Sequence, residues 1–402
     1  MITKTFVLKR WIDLPKLGWY SGDVHVHHPT NKPEFRDYLL EYAKAEDVHL
    51  VNILEMGHHQ TGVDAMGHEH AGTDFKQEGF GQRYRVNKGN YWLVSGKEDP
   101  RSRFGHIIGL NIEQMVRDTT VYDNYDLVFK NLRMQPGTVI GFTHFAWNIS
   151  WNVQNETTGF PWFIIAGEIN FIELLQFLKL NMLDYYEYLN LGFRITAAAG
   201  SDFPWASPIG EVITMVYTGN NFTTDTWFAG LKAGRTFVTN GPALLFSADG
   251  NLPGTEIINS SGSSVRLSVK ALSTPEIGTI KKVAIYNNKG LIAESTNTNN
   301  SDEVKINLNH QLDRSQWIAV VVNCENGAVA HTTPVYMVVD NKPTFDLDKG
   351  PAIIKKQVGS LQDLIKEESS KIPSDHGILE RLKTAVSFYN ILLSQVDSEK
   401  KQ

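Results

Sequence analysis

At 402 residues the chain is too long for one ordinary core, so about two domains and a tail are expected. Its net charge of -6 and its lack of any Lys/Arg-rich run exclude a protein whose affinity comes from neutralising nucleic-acid phosphates, and point to a small-molecule partner. No stretch approaches the roughly 20 apolar residues that cross a bilayer, and Cys324, the single cysteine, excludes an internal disulfide and a thiolate-rich zinc site, leaving His and carboxylate as metal ligands.

The opening TFVLKRWIDLP reads as a strand and linker without a hairpin partner, as if a preceding domain ended there. Met1 to Trp11 lacks the apolar segment of a secretory leader. A cytoplasmic location is therefore the default, and a periplasmic or secreted one follows if the front of the protein is incomplete. Up to residue 241, short apolar runs alternate with amphipathic stretches, the pattern of repeated β-α units around a parallel sheet. The expected strands end at GDVHVH, VHLVNIL, YWLVSGKE, TVIGFTH, NFIELLQF, RITAAAGSD and RTFVTNGP. Between them, helices are expected over Glu34 to Asp47, Tyr125 to Met134, Asn181 to Leu191 and Thr224 to Ala233, the last two stopped by Gly192 and Gly234. This predicts an α/β fold with a closed or nearly closed barrel over residues 1–241.

From Pro242 the character changes. SVRLSVKAL and EVKINL alternate apolar and polar residues, KVAIYNNKGLIAES reads as a hairpin, and WIAVVVNC and VYMVVD follow. A small antiparallel β-sandwich is expected over 242–342. Residues 343–402 form a linker and C-terminal helical tail. Leu361, Leu364 and Ile365 share one helical face there, as do Ile378, Leu382, Ala385, Tyr389 and Leu392, and both faces are expected to pack on the body of the protein.

His25 and His27, two apart in a strand, project from one face of the pleat and suit a shared cation; alone they equally suit a half-buried strand with incidental histidines. Glu98, His144 and Asp202 each stand where a further apolar run gives out into a loop. In α/β barrels that rim is where active sites are built. A metal site is therefore expected.

The motifs GDVHVHH, GKEDPRSRFGH, GFTHF, GSDFPW and AGRTFVTNGPALLF, in this order, resemble the polymerase and histidinol phosphatase (PHP) superfamily of metallohydrolases, in particular its carbaryl-hydrolase-like branch. The resemblance runs from about Trp11 to Asp340. It implies a distorted seven-stranded, TIM-like β/α barrel followed by the sandwich. It also implies that His25, His27 and Asp202 bind one metal, that Glu98 bridges to a second, and that His106 and His144 complete the second site. Where relatives carry ligands for a third ion, this chain has Pro33, Met56 and Pro204, so two ions are expected unless His28, His58 or His59 substitutes. Zinc is expected first, with manganese or iron as alternatives.

Two bridged cations would deprotonate a shared water and stabilise both oxygens of a displacement. The catalytic residues would be Glu98 and Asp202, the latter either a proton carrier or a ligand only. For substrate binding the candidates are His28, Arg101, Trp147, Trp205 and Asn240. Arg101 would clamp an anionic oxygen or form a surface salt bridge; Trp147 and Trp205 would wall the pocket or pack in a core; Asn240 would donate to substrate or shape its turn. The loop MGHEHAGTDF, with His68, Glu69 and His70, would reach over the site as a lid, supply a ligand, or lie in solvent. The expected reaction is hydrolysis of a small ester, amide or carbamate. Phosphoester hydrolysis, or a binding module that has lost catalysis, are the alternatives. The oligomeric state is left open.

Overall fold

The computed structural model describes residues 4–5, 10–56, 75–99, 104–116, 125–147, 159–167, 169–371 and 376–399. In chain order the first half contains β1 (Trp19–Val26), α1 (Pro33–Ala45), β2 (Leu50–Met56), β3 (Val86–Lys88), β4 (Tyr91–Asp99), β5 (Ile107–Leu110), α2 (Asp126–Arg133) and β6 (Val139–Phe142). Next come α3 (Phe160–Phe163), β7 (Phe171–Gln176), β8 (Lys179–Leu180), α4 (Met182–Asn190), β9 (Thr196–Ala199), β10 (Ile213–Tyr217), α5 (Thr224–Lys232) and β11 (Thr236–Thr239). The second half is β12 (Ala243–Ala248), β13 (Glu256–Asn259), β14 (Ser264–Leu272), β15 (Ile280–Asn287), β16 (Gly290–Thr296), β17 (Glu303–Gln311), β18 (Gln316–Cys324), β19 (Val329–Thr332) and β20 (Val335–Val339), closed by α6 (Gly350–Ser369) and α7 (His376–Glu399).

The expected α/β class with a seven-stranded TIM-like barrel is not what these elements build. Among the described residues, seventeen strands join one mixed sheet that runs β9–β7–β6–β5–β4–β2–β1–β10–β11–β19–β18 and then branches to β15 and β16 and to β20 and β13. No ladder joins β9 to β1; a single parallel bridge, Val26 to Phe203, links their ends. The barrel expectation fails because strand direction is not written in an apolar run. β5 lies antiparallel between β4 and β6, and β10 antiparallel between β1 and β11, where the repeated unit would have put helical crossovers. Nor is there a free-standing sandwich. β19 pairs with β11, so the large sheet continues into the second half, and a separate antiparallel sheet, β12–β14–β17, packs its buried residues Leu244, Phe246, Leu267 and Val269 against Val283, Ile285, Val320 and Val322.

Helices form where amphipathic runs predict them. α5 starts at a capping box in which Thr223 and Thr226 satisfy each other's backbone N–H groups. It lays Trp227 on Gly22 of β1, where a Cβ would stand 2.3 Å from the indole, so glycine is required for the close approach. α6 and α7 bury Ile354, Leu361, Leu382 and Tyr389 against the α3 and α4 region, and the Tyr389 hydroxyl donates to Pro161 O at 2.9 Å. No described helix is long and apolar enough to cross a membrane.

Candidate metal centre

Two groups of buried side chains meet on the carboxylate of Glu98. Its Oε2 lies 3.0 Å from His27 Nε2 and 3.5 Å from His25 Nε2; its Oε1 lies 2.9 Å from His106 Nδ1 and 3.7 Å from His144 Nε2. Asp202 Oδ1 joins the first group, 3.3 Å from His25 Nε2 and 3.7 Å from His27 Nε2. The paired nitrogens are 2.9 Å apart in the first group and 3.2 Å apart in the second. A tetrahedral ion with bonds of about 2.0–2.2 Å holds its ligand atoms roughly 3.3–3.6 Å apart. Both groups are therefore spaced to hold a cation, with one oxygen of Glu98 in each.

Strand geometry explains the convergence. His25 in β1 and His27, just past its end, bring their Nε2 atoms within 2.9 Å of each other, and Glu98 in β4 stands opposite Ile108 of β5, close behind His106. His144 and Asp202 follow the ends of β6 and β9 at φ of 56° and 54°, in the left-handed region that non-glycine residues enter sparingly. Hydrogen bonds hold both there: the His144 N–H donates to Glu173 Oε2 at 2.9 Å, and the Asp202 N–H to His25 O at 2.8 Å.

The outer hydrogen bonds set the tautomers. His25 Nδ1 is 2.7 Å from Glu173 Oε1, and His27 Nδ1 is 3.1 Å from Leu54 O. Both partners accept, so each Nδ1 carries a proton, and a neutral ring turns its Nε2 lone pair inward. Lone pairs facing each other at 2.9 Å beside two carboxylates repel unless a cation stands between them.

The same charges shift the proton equilibria of the cluster. Burial pushes His25 down, but the charges of Glu173, Asp202 and Glu98 outweigh it and raise the ring well above its usual value. Burial pushes Glu98 up, and the charge of His25 with bonds from His106, His144 and His25 holds it well below the carboxylate range. Burial raises Asp202, and it raises Asp23, whose Oδ1 takes the N–H groups of His25 and Ser201 at 3.0 Å each, to about 7.

The structure thus brings His25, His27, Glu98, His106, His144 and Asp202 together. Trp205, 55% exposed, stands over the first group with its ring 4.8 Å from His27 and 5.1 Å from Phe75. His28 turns away: its ring lies along Tyr38 at 5.7 Å, and Nδ1 bonds Pro29 O. Asn240 lies outside the cluster, and its Oδ1 accepts the Val329 N–H at 2.6 Å. Arg101, the side chain of Trp147, His58, His59 and most of the MGHEHAGTDF loop lie outside the described residues.

Sequence reasoning missed Glu173, whose two oxygens serve one residue of each group, and Gln176, whose Oε1 is 3.0 Å from His144 Nδ1. The available signal was an acid inside the apolar run NFIELLQF, since a charge rarely stays in a buried strand without a partner.

No family model matches the chain, and no curated protein matches it. Among solved structures, it is similar to PsfC from Pseudomonas syringae PB-5123 at 15% identity and a TM-score of 0.35, covering 53% of this chain and 88% of that one. The sulfur carrier protein SoxY from Chlorobium limicola f thiosulfatophilum matches at 16% identity and 0.17, over 22% of this chain and 88% of SoxY. Fibronectin(III)-like modules of Clostridium thermocellum CbhA match at 17% and 0.17, over 23% and 96%. Scores of this size bear on no function.

Proposed function

We propose that this chain is a metal-dependent hydrolase that cleaves a small ester, amide or carbamate with two divalent cations, zinc first and manganese or iron as alternatives. The observation that supports this reading is the division of Glu98, one oxygen facing His25, His27 and Asp202 and the other facing His106 and His144. When bound, such a pair of cations supplies an activated water and polarises the bond to be cleaved.

The chain's own residues do the rest. Glu173 and Leu54 O fix the imidazole tautomers that ligation needs. Asp202, with 11% of its side chain exposed against 2% for Glu98, is the carboxylate that reaches the opening. Its Oδ1 faces the histidines, and its other oxygen takes the proton of the attacking water and returns it to the leaving group. Trp205 and Phe75, packed edge to face, would offer a substrate apolar surface beside His27.

Among the described residues, no Lys or Arg pairs with Glu98, Glu173 or Asp202, and the nearby Lys97 is turned to Asp99 and Val116 O. A phosphate, which attracts cationic donors, is the second substrate class that the same pair of cations would serve. The test is elemental analysis of protein purified without added metal, with aryl ester, aryl carbamate and aryl phosphate assays on it and on His144→Ala. About two ions in the parent, fewer in the variant, and ester or carbamate turnover lost with them are expected. Turnover of phosphates alone would remove the ester reading, and a parent that binds no ion would remove the whole proposal.

A further inference from the structure

Among the described residues no ladder joins β1 to β9, so something other than strand pairing holds Asp202 against His25. Besides the Val26–Phe203 bridge, hydrogen bonds close this seam: the Asp202 N–H donates to His25 O at 2.8 Å, the His27 N–H to Phe203 O at 2.7 Å, and the Ser201 hydroxyl to His25 O at 3.2 Å. Beside them lies the carboxylate of Asp23, wholly buried in β1.

Asp23 Oδ1 accepts the His25 N–H and the Ser201 N–H, each at 3.0 Å. His25 belongs to the first group, and Ser201 precedes another member, Asp202, so a single oxygen grips the backbone on both sides of the seam. The Oδ2 atom has no hydrogen-bond partner. Asp202 depends on that grip, because its φ of 54° keeps it in the left-handed region while the Trp205 and Ala206 N–H groups bond back to its carbonyl at 3.0 and 3.1 Å. Without the Asp23 oxygen, one buried N–H on each side loses its acceptor, and the turn must shift to find another. Metal-binding constellations tolerate only about 0.5 Å of such displacement.

We infer that Asp23 is a positioning residue for the first group: its Oδ1 ties the end of β1 to the Ser201–Asp202 turn and so holds Asp202 Oδ1 at 3.3 Å from His25 Nε2 and 3.7 Å from His27 Nε2. The inference rests on the two-cation reading. The geometry asks for an acceptor at Oδ1 and not for a charge, and an amide oxygen supplies one equally well.

The test is competition titration of full-length apo protein with Zn2+ against a chelator of known affinity, on the parent, Asp23→Ala and Asp23→Asn, with urea unfolding of each. In Asp23→Ala one of the two ions is expected to bind at least about tenfold more weakly, the scale of lost outer partners, while the other stays within about threefold. Asp23→Asn should return the weakened ion to the parent affinity. If Asp23→Ala does not fold, Asp23→Ser takes its place, its hydroxyl being one bond too short to reach both amides. A purely structural Asp23 would lower the urea midpoint and leave both affinities alone. That result, equal weakening of both ions, or an Asp23→Asn protein as weak as Asp23→Ala would each overturn the inference and leave the metal centre standing; a parent that binds no ion would overturn both.

Discussion

Replacing Glu173 by Gln keeps the shape of a fully buried side chain and removes one oxygen and one charge. Glu173 Oε1 receives the His25 Nδ1 proton at 2.7 Å, and Oε2 receives the His144 N–H at 2.9 Å. An amide cannot accept at both ends. If its oxygen faces His25, its NH2 opposes the His144 N–H and pushes out the loop that carries the ring. If it flips, the NH2 donates to His25 Nδ1, the proton moves to Nε2, and that nitrogen can no longer bind a cation. Either way one group loses a ligand in its productive form. Outer hydrogen-bond partners of metal-binding histidines are worth about 10- to 100-fold in metal affinity, or roughly 1.4–2.7 kcal/mol. Competition titrations of apo protein with a zinc chelator of known affinity read this directly, and Co2+ spectra show which group is disturbed. An unchanged affinity for both ions would refute the reasoning that this carboxylate indexes the two groups.

Gly200→Ala should act on the same carboxylate from outside, since the added Cβ would stand 2.5 Å from Glu173 Oε1 and 2.5 Å from His25 Cβ. A loss of about 1–3 kcal/mol in urea unfolding is expected from overpacking, accompanied by weaker metal binding; wild-type values for both would contradict the contact. His331, wholly buried, accepts the Tyr186 hydroxyl at Nε2 and gives Nδ1–H to Thr332 O, and burial lowers its pKa to about 4. The folded ring stays neutral while the unfolded one takes a proton below about 6.5, so stability present above pH 6.5 is lost as pH falls toward 4, by about 3 kcal/mol from this residue. Urea unfolding at pH 7 and pH 4 should show that extra loss in the parent and not in His331→Gln; equal slopes would refute it.

Much of the local structure was legible along the chain. Apolar runs ending in Glu98, His144 and Asp202 marked the strands β4, β6 and β9, and the i, i+2 spacing of His25 and His27 marked a pair whose Nε2 atoms meet, because side-chain period is a local property. α1, α2, α4 and α5 formed within a few residues of their predicted spans for the same reason. What strands neighbour one another is not local. The antiparallel insertion of β5 and β10 and the union of β11 with β19 put a large mixed sheet, with a three-stranded sheet packed on it, where a barrel and a separate sandwich were expected, and nothing in a strand's own residues states its partner. Glu173 is the same case in miniature. Its acid was visible in the sequence, but its meaning lay 148 residues away at His25, because a buried charge is explained by what the fold brings beside it, and that is decided only when the sheet assembles.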